Sequence, residues 1–361
     1  MSNLTAPTPT PDTSRSSRSL TGDSLPRLAL LIAAVVALGV GVLASLLLGV
    51  GFVGAIVVAW LVLMVGVPLW SRAIEGPRKA VDRVATLLVW SAFALAMVPL
   101  VSLVYTVVTR GIGAISGQFL TYSMRGVLGE GGGIYHALMG TIIITALAAL
   151  ISVPIGVMTA VYLVEYGKGS AMARVITFLV DVMTGIPSIV AGLFAYALFV
   201  IFFGPGVRMG FGGAIALSVL MIPIVVRATE EMLKLVPDDL REASYALGVP
   251  KWRTITKVVL PTAVGGIVTG VTLAVARVSG ETAPLLIIAG LTTGTNVNPF
   301  DGYMATLPVF IFYSITEPIG QYRDVYADYA WGAALVLVTI VMLLNVIARV
   351  IGSVFAPKTG R

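Results

Sequence analysis

Two opposite charges stand four residues apart in an otherwise apolar stretch, Val-Thr-Leu-Ala-Val-Ala-Arg277-Val-Ser-Gly-Glu281-Thr-Ala-Pro. On a helix, positions i and i+4 share a face, so Arg277 and Glu281 are spaced to pair. An arginine at the bilayer centre costs about 2.5–3.5 kcal/mol on insertion scales, so such a residue faces a partner or a cavity. Two chemistries fit: an ion pair that locks this helix to its neighbours, or a cation on the route of an anion. Asp181, inside a second apolar run, is placed to pair with Arg277 or to line the same path. His136 is the only histidine and stands at the edge of a third apolar run. With no second His, no Cys and no carboxylate cluster beside it, it reads as an interfacial or hydrogen-bonded residue and not as a metal ligand. The chain has no cysteine, which excludes disulfides, cysteine-held iron–sulfur clusters and thiol nucleophiles. Gly-x-x-x-x-Gly-Lys-Ser/Thr does not occur; Gly167-Lys168-Gly169-Ser170 lacks the upstream glycine and the contiguous Lys-Ser, so ATP is expected elsewhere.

The elements that carry these residues are membrane spans. Of 361 residues 58% are apolar and 11% charged, against about 45–50% and about 25% in soluble domains. With mean hydropathy +0.99, that excess does not fit inside one aqueous core, and a soluble enzyme is excluded. A bilayer core near 30 Å takes about 20 helical residues. Eight runs qualify, near residues 28–49, 52–70, 84–108, 136–163, 173–203, 212–228, 262–291 and 331–353. Residues 1–26 are rich in Ser, Thr and Pro and read as a disordered tail. The run from Leu28 is too long for a cleavable signal and leads directly into another span. Gly266 and Gly270, four apart in the seventh run, would let another helix pack closely.

With the N-terminus inside, eighteen of the 23 Lys and Arg fall on the inner side, while Arg110, Arg125, Arg208 and Arg323 fall outside and Arg277 within a span. The positive-inside rule therefore puts both termini in the cytoplasm. The net charge of +6 reflects topology and gives no reason to propose nucleic acid as a partner. Outside, residues 292–330 contain an apolar segment, Tyr303 to Ile315, too short to span and broken by Pro308, which reads as an interfacial or re-entrant helix.

The longest inner loop, about residues 229–261, reads helix, turn, helix. Pro237 before Asp238 and Asp239 suits a helix N-terminus, Gly248 and Pro250 stop that helix, and a second, basic helix runs from about Lys251 to Pro261. Leu240, Ala243, Ser244 and Leu247 fall at i, i+3, i+4 and i+7, one face of small and apolar side chains. Alone, this is an amphipathic hairpin joining two spans. Yet Glu242-Ala243-Ser244, Gly248, Ile255 and Leu260-Pro261 together resemble the "EAA" loop of ABC importer permeases, with Ser244 where alanine is typical. The resemblance implies a coupling helix that docks on a separate cytoplasmic ATPase, with Glu242, Ala243, Ser244, Leu247, Gly248 and Pro261 as coupling residues.

Ala276 to Leu285 is similar to the signature of the A-type permeases of phosphate-specific ABC importers, as are Thr184 to Leu193 and the outer Ala305-Thr306-Leu307-Pro308-Val309 followed by Ile311-Phe312. The likeness covers about residues 84–353. It implies an all-α polytopic permease: a core of six transmembrane helices at 84–353, two extra N-terminal helices within 27–83, and a short inner tail at 354–361. It further implies a multi-pass protein of the bacterial inner membrane, a C-type permease partner, a B-type ATPase dimer carrying ATP and Mg, and an extracytoplasmic phosphate-binding protein. On this reading the chain is not an enzyme, holds no cofactor or metal, and meets phosphate and membrane lipid, with Arg277, Glu281, Thr282 and Asp181 as substrate-path residues. The alternatives are a permease for another oxyanion such as sulfate or molybdate, against which Gly-Glu-Thr-Ala-Pro argues, and a phosphate-sensing membrane scaffold. A secondary transporter would not need an EAA-like loop.

Overall fold

A computed structural model describes residues 25–26, 28–318 and 320–355. The expected tails at 1–26 and 354–361 therefore lie almost wholly outside the described residues. All regular structure among the described residues is helical. In chain order the helices are α1 (Ala29–Leu48), α2 (Gly51–Ile74), α3 (Pro77–Gly111), α4 (Gly117–Thr121), α5 (Tyr135–Val161), α6 (Ala171–Thr184) and α7 (Ser188–Phe203). There follow α8 (Gly210–Lys234), α9 (Asp238–Ala246), α10 (Lys251–Thr254), α11 (Leu260–Val278), α12 (Ala283–Ile288), α13 (Leu307–Thr316) and α14 (Arg323–Phe355). Seven helical stretches are long and apolar enough to cross a membrane, and eight if the bent pair α6 and α7 forms one span. Their outward side chains are apolar, Leu46, Phe52, Leu95 and Phe202 among them, as a lipid-facing surface requires.

The chain divides into two compact units, residues 1–102 and 103–361, with the division inside α3. In the first, α1 and α2 pack as a hairpin around Gly49, whose φ of 65° closes α1 in the left-handed conformation. The helices approach so closely at Gly41 that a Cβ there would sit 3.1 Å from Ala59 Cβ. Where α2 ends, Glu75 gathers Ser71 Oγ (2.6 Å), the Leu25 N–H (3.0 Å) and Arg83 Nη2 (3.4 Å), pinning the entry to α1.

The second unit is built on α5 against α8, with Ile144, Ala148, Leu217, Met221 and Val225 in its core beside Ala274 and Val278 of α11 and Leu285 of α12. Glycine lets these helices touch: a Cβ on Gly156 of α5 would lie 2.6 Å from Val225 Cγ1.

Four expectations about the elements are corrected. The fifth run is not one straight helix, because Gly185-Ile186-Pro187 breaks it and α6 and α7 meet at 108°. Proline disfavours a helical residue before it and cannot donate, so the apolar run continues while the helix does not. The seventh run ends at Val278, leaving Ser279 to Thr282 outside helix before α12. The basic helix from Lys251 does not stop at Pro261 but continues through a π turn at Ile255–Val259 into α11 as one stretch, Lys251–Val278. The wider turn accommodates a proline that lacks an N–H. Finally, Pro308 does not break a helix but lies in the first turn of α13, where its missing N–H is unneeded.

Candidate functional site

The break in the seventh run and the break in the fifth face each other. Arg277 at the end of α11, Glu281 beyond it, and Thr184, Ile186 and Ser188 at the α6/α7 bend line one cavity of about 220 Å³, which Pro223 and Ile224 of α8 close from behind. The two motifs also touch directly, since a Cβ on Gly192 of α7 would lie 2.6 Å from Pro284 Cα of α12. Segments about ninety residues apart in sequence are thus one constellation.

Within it, Arg277 and Glu281 do not form the expected pair: no ion pair or side-chain hydrogen bond joins them among the described residues. The i, i+4 geometry needs a continuous helix, and α11 ends between them. Arg277 is exposed and Glu281 half-buried in this single chain. Thr282 stands beside Glu281 as the residue that caps α12, its carbonyl accepting from the Leu286 N–H (2.9 Å).

Asp181 is outside this cavity. It pairs with Arg227 of α8, not with Arg277, and Arg227 also reaches Glu230 (2.7 Å), which Lys234 meets at 2.7 Å. This chain of charges ties α6 to the last turns of α8. His136 is likewise corrected: it is buried, lies edge-on to Phe310 at 5.5 Å, and has no hydrogen-bond partner on either nitrogen.

The inner loop takes the expected helix and turn. Asp238–Ala246 is helical after Pro237, and Gly248 has a φ of 74°, where residues with a Cβ are strained. The expected common face splits. Ser244 turns inward, its hydroxyl 2.8 Å from Thr254 Oγ1, while Leu240, Glu242, Ala243 and Leu247 face out. Sequence reasoning missed what holds this helix in place. Arg241 is buried and donates from Nε (3.1 Å) and Nη2 (2.9 Å) to Glu165 Oε1 in the π turn that ends the fourth span. The one signal available was two opposite charges at apolar borders, with no spacing to connect them.

Residues 152–361 match the family of binding-protein-dependent transport system inner membrane components, and the chain belongs to that family. Its fold is shared, at TM-score 0.52 and 13% identity over 80% of this chain and 100% of the other, with a chain of a bacterial alginate ABC transporter solved in complex with an alginate pentasaccharide-bound periplasmic protein. Within the family it falls among the PstA permeases. It is 48% identical over 289 residues to phosphate transport system permease protein PstA 1 of Mycobacterium tuberculosis (strain CDC 1551 / Oshkosh), covering 79% of this chain and 92% of that protein. It is 39% identical over 285 residues to PstA of Yersinia pestis, covering 78% and 92%.

Proposed function

We propose that this chain, a PstA-type permease subunit of an inorganic phosphate importer, forms the translocation path together with a C-type permease and places Arg277 on it. The observation that carries the assignment is the cavity in which Arg277 meets Glu281 and the α6/α7 bend without pairing to either. An arginine held at a polar cavity and not neutralised by a carboxylate can compensate the charge of a passing anion. Glu281 on the same wall repels that anion and keeps residence short, and Thr282 stands beside it. Asp181 is neutralised by Arg227 and serves as a positioning residue.

The positive-inside count puts α9, both termini and the charge chain of Arg227 in the cytoplasm. There the outward face of Leu240, Glu242, Ala243 and Leu247 is the surface a B-type ATPase dimer would grip, and ATP and Mg belong to that partner. An extracytoplasmic phosphate-binding protein delivers substrate from the opposite side. Residues 84–353 act as the permease domain, and the helices within 27–83 are an addition to it.

The test is ATP-dependent uptake of radiolabelled phosphate by proteoliposomes holding the assembled complex. Uptake that sulfate and molybdate leave unchanged is expected. Equal competition by either would favour the wider oxyanion permease, and normal phosphate sensing without uptake would favour the scaffold.

A further inference from the structure

A second cavity lies at the opposite end of the second unit from α9, apart from the one at Arg277. It has a volume of about 270 Å³ and is walled by Phe310, Tyr313 and Tyr326, with His136 and Ser314 on its floor and Glu317 at its rim. The floor is closed: His136 is 2% exposed and Ser314 3%. Both nitrogens of His136 lack a hydrogen-bond partner. Both atoms are also sealed from the cavity, so His136 meets an occupant with its ring and not with its nitrogens, and the rest of the wall sets what fits.

The lining answers by its chemistry. Apart from His136 it holds no basic side chain, and its one formal charge is the Glu317 carboxylate, so an anion would meet repulsion and no compensation. Three aromatic rings and a carboxylate around one small space are the elements that hold an organic cation, through ring quadrupoles and a charge-assisted hydrogen bond. Ser314 offers a hydroxyl oxygen to a remaining N–H group of an ammonium. The volume falls near the lower end of small-molecule sites, roughly 300–1,000 Å³, which suits an aminoethyl group better than a larger ligand.

We infer that this cavity binds a primary ammonium group, presented either by a small free amine or by an aminoethyl lipid headgroup at the membrane surface. Glu317 takes the charge at the rim, the rings of Phe310, Tyr313 and Tyr326 enclose the alkyl ammonium, and the Ser314 hydroxyl receives one of its hydrogens at the floor. The site is separate from Arg277: the two cavities share no lining residue.

Because His136 is the only histidine, its imidazole carbon–proton signal is a single reporter in the full chain labelled on histidine. The chain is held in phosphatidylglycerol nanodiscs, which carry no ammonium. Added ethanolamine should move the His136 signal saturably, while ethylene glycol of the same size and inorganic phosphate leave it in place. Replacing part of the lipid by phosphatidylethanolamine, without free amine, separates the sources: a moved signal assigns the headgroup, and an unmoved one assigns the free amine. Glu317→Gln, a change at an exposed rim residue, should weaken the ethanolamine response at least tenfold, and Glu317→Asp should keep it. No shift with either ammonium source, an equal shift with ethylene glycol, or an unchanged response in Glu317→Gln overturns the proposal. Phosphate uptake is independent of this reading, so failure here leaves the transport assignment intact.

Discussion

Arg241 on α9 spends all five of its guanidinium donors, two on Glu165 Oε1 across 76 residues of sequence and the others on the Val236 carbonyl (2.6 Å), the Leu233 carbonyl (2.9 Å) and Asp238 Oδ1 (3.0 Å). The helix proposed to meet the ATPase is therefore bolted to the end of the fourth span by one side chain, and force on α9 reaches that span without passing through the turn at Gly248. Arg241→Met strands a buried carboxylate, a change that costs about 3–5 kcal/mol in buried pairs. Thermal unfolding of the detergent-solubilised chain should fall accordingly. Adding Glu165→Leu should recover much of the loss, because removing both charges avoids the stranded one. A double variant no more stable than the single would show that the pair is not what anchors α9.

Gly248 stands at the hinge beyond that anchor. Its φ of 74° and open surroundings mean that Gly248→Val meets no clash, only a backbone conformation a β-branched residue resists. The chain should fold and insert, yet phosphate uptake should drop severalfold while substrate capture by the extracytoplasmic protein persists. Glu242→Arg, on the outward face, should have the same signature through charge alone. Normal uptake and normal ATPase stimulation in both variants would remove the coupling role.

The contact of Gly192 with Pro284 joins the two motifs around the cavity. Gly192→Ala places a Cβ about where Pro284 backbone already lies, at 2.6 Å, and overpacking of this kind costs about 1–3 kcal/mol. Uptake should fall with little loss of assembled protein. Gly39→Ala is the matched control, since nothing lies within 4 Å of its added Cβ; equal behaviour of the two would mean that the α7 to α12 contact does not shape the path.

In the first unit, the hydrogen bond from Ser71, then that from the Leu25 N–H, then Arg83 hold the Glu75 carboxyl down at about 2 from 4.5. A depressed carboxyl contributes stability that is complete above its unfolded pKa and is lost as pH falls through the folded value. The turn at Glu75 should therefore be indifferent to pH between 5 and 8 and loosen between about 4.5 and about 2. Trp60, whose indole donates to Ser91 Oγ at 2.8 Å in the same unit, reports this by fluorescence. Glu75→Gln should abolish the acid dependence; an unchanged acid transition would place its origin elsewhere.

Composition and apolar run length were sufficient for the spans, because lipid demands them regardless of tertiary detail. The inner helix and its Gly248 turn were equally legible, since capping and left-handed closure are local. What escaped was every break and every distant pair. Gly185-Ile186-Pro187 and Ser279 to Thr282 interrupt helices inside runs whose hydropathy never falls, so run length reads through them. Ser279 to Thr282 also undid the Arg277 and Glu281 pairing, which assumed a helix that stops at Val278. Asp181 with Arg227 and Arg241 with Glu165 are matched by tertiary packing across 46 and 76 residues, and no periodicity encodes such a match.

Arg277→Gln decides what the break in the seventh run is for. A neutral amide still donates hydrogen bonds but does not compensate a phosphate's charge, and losing about 3 kcal/mol of such compensation slows passage by more than a hundredfold. Uptake should collapse with assembly intact. Were Arg277 present only to neutralise Glu281, the double variant Arg277→Gln with Glu281→Gln would restore transport by removing both charges together. The geometry argues against rescue, because the two side chains share a cavity wall without pairing. Glu281→Gln alone should slow release instead: with the repelling carboxylate gone, phosphate dwells longer at Arg277, so uptake falls modestly while the anion protects Arg277 from guanidinium-directed labelling at lower concentration. Radiolabelled uptake normalised to assembled complex, read across the three variants, separates the cases, and recovery in the double variant would end the assignment of Arg277 to the path.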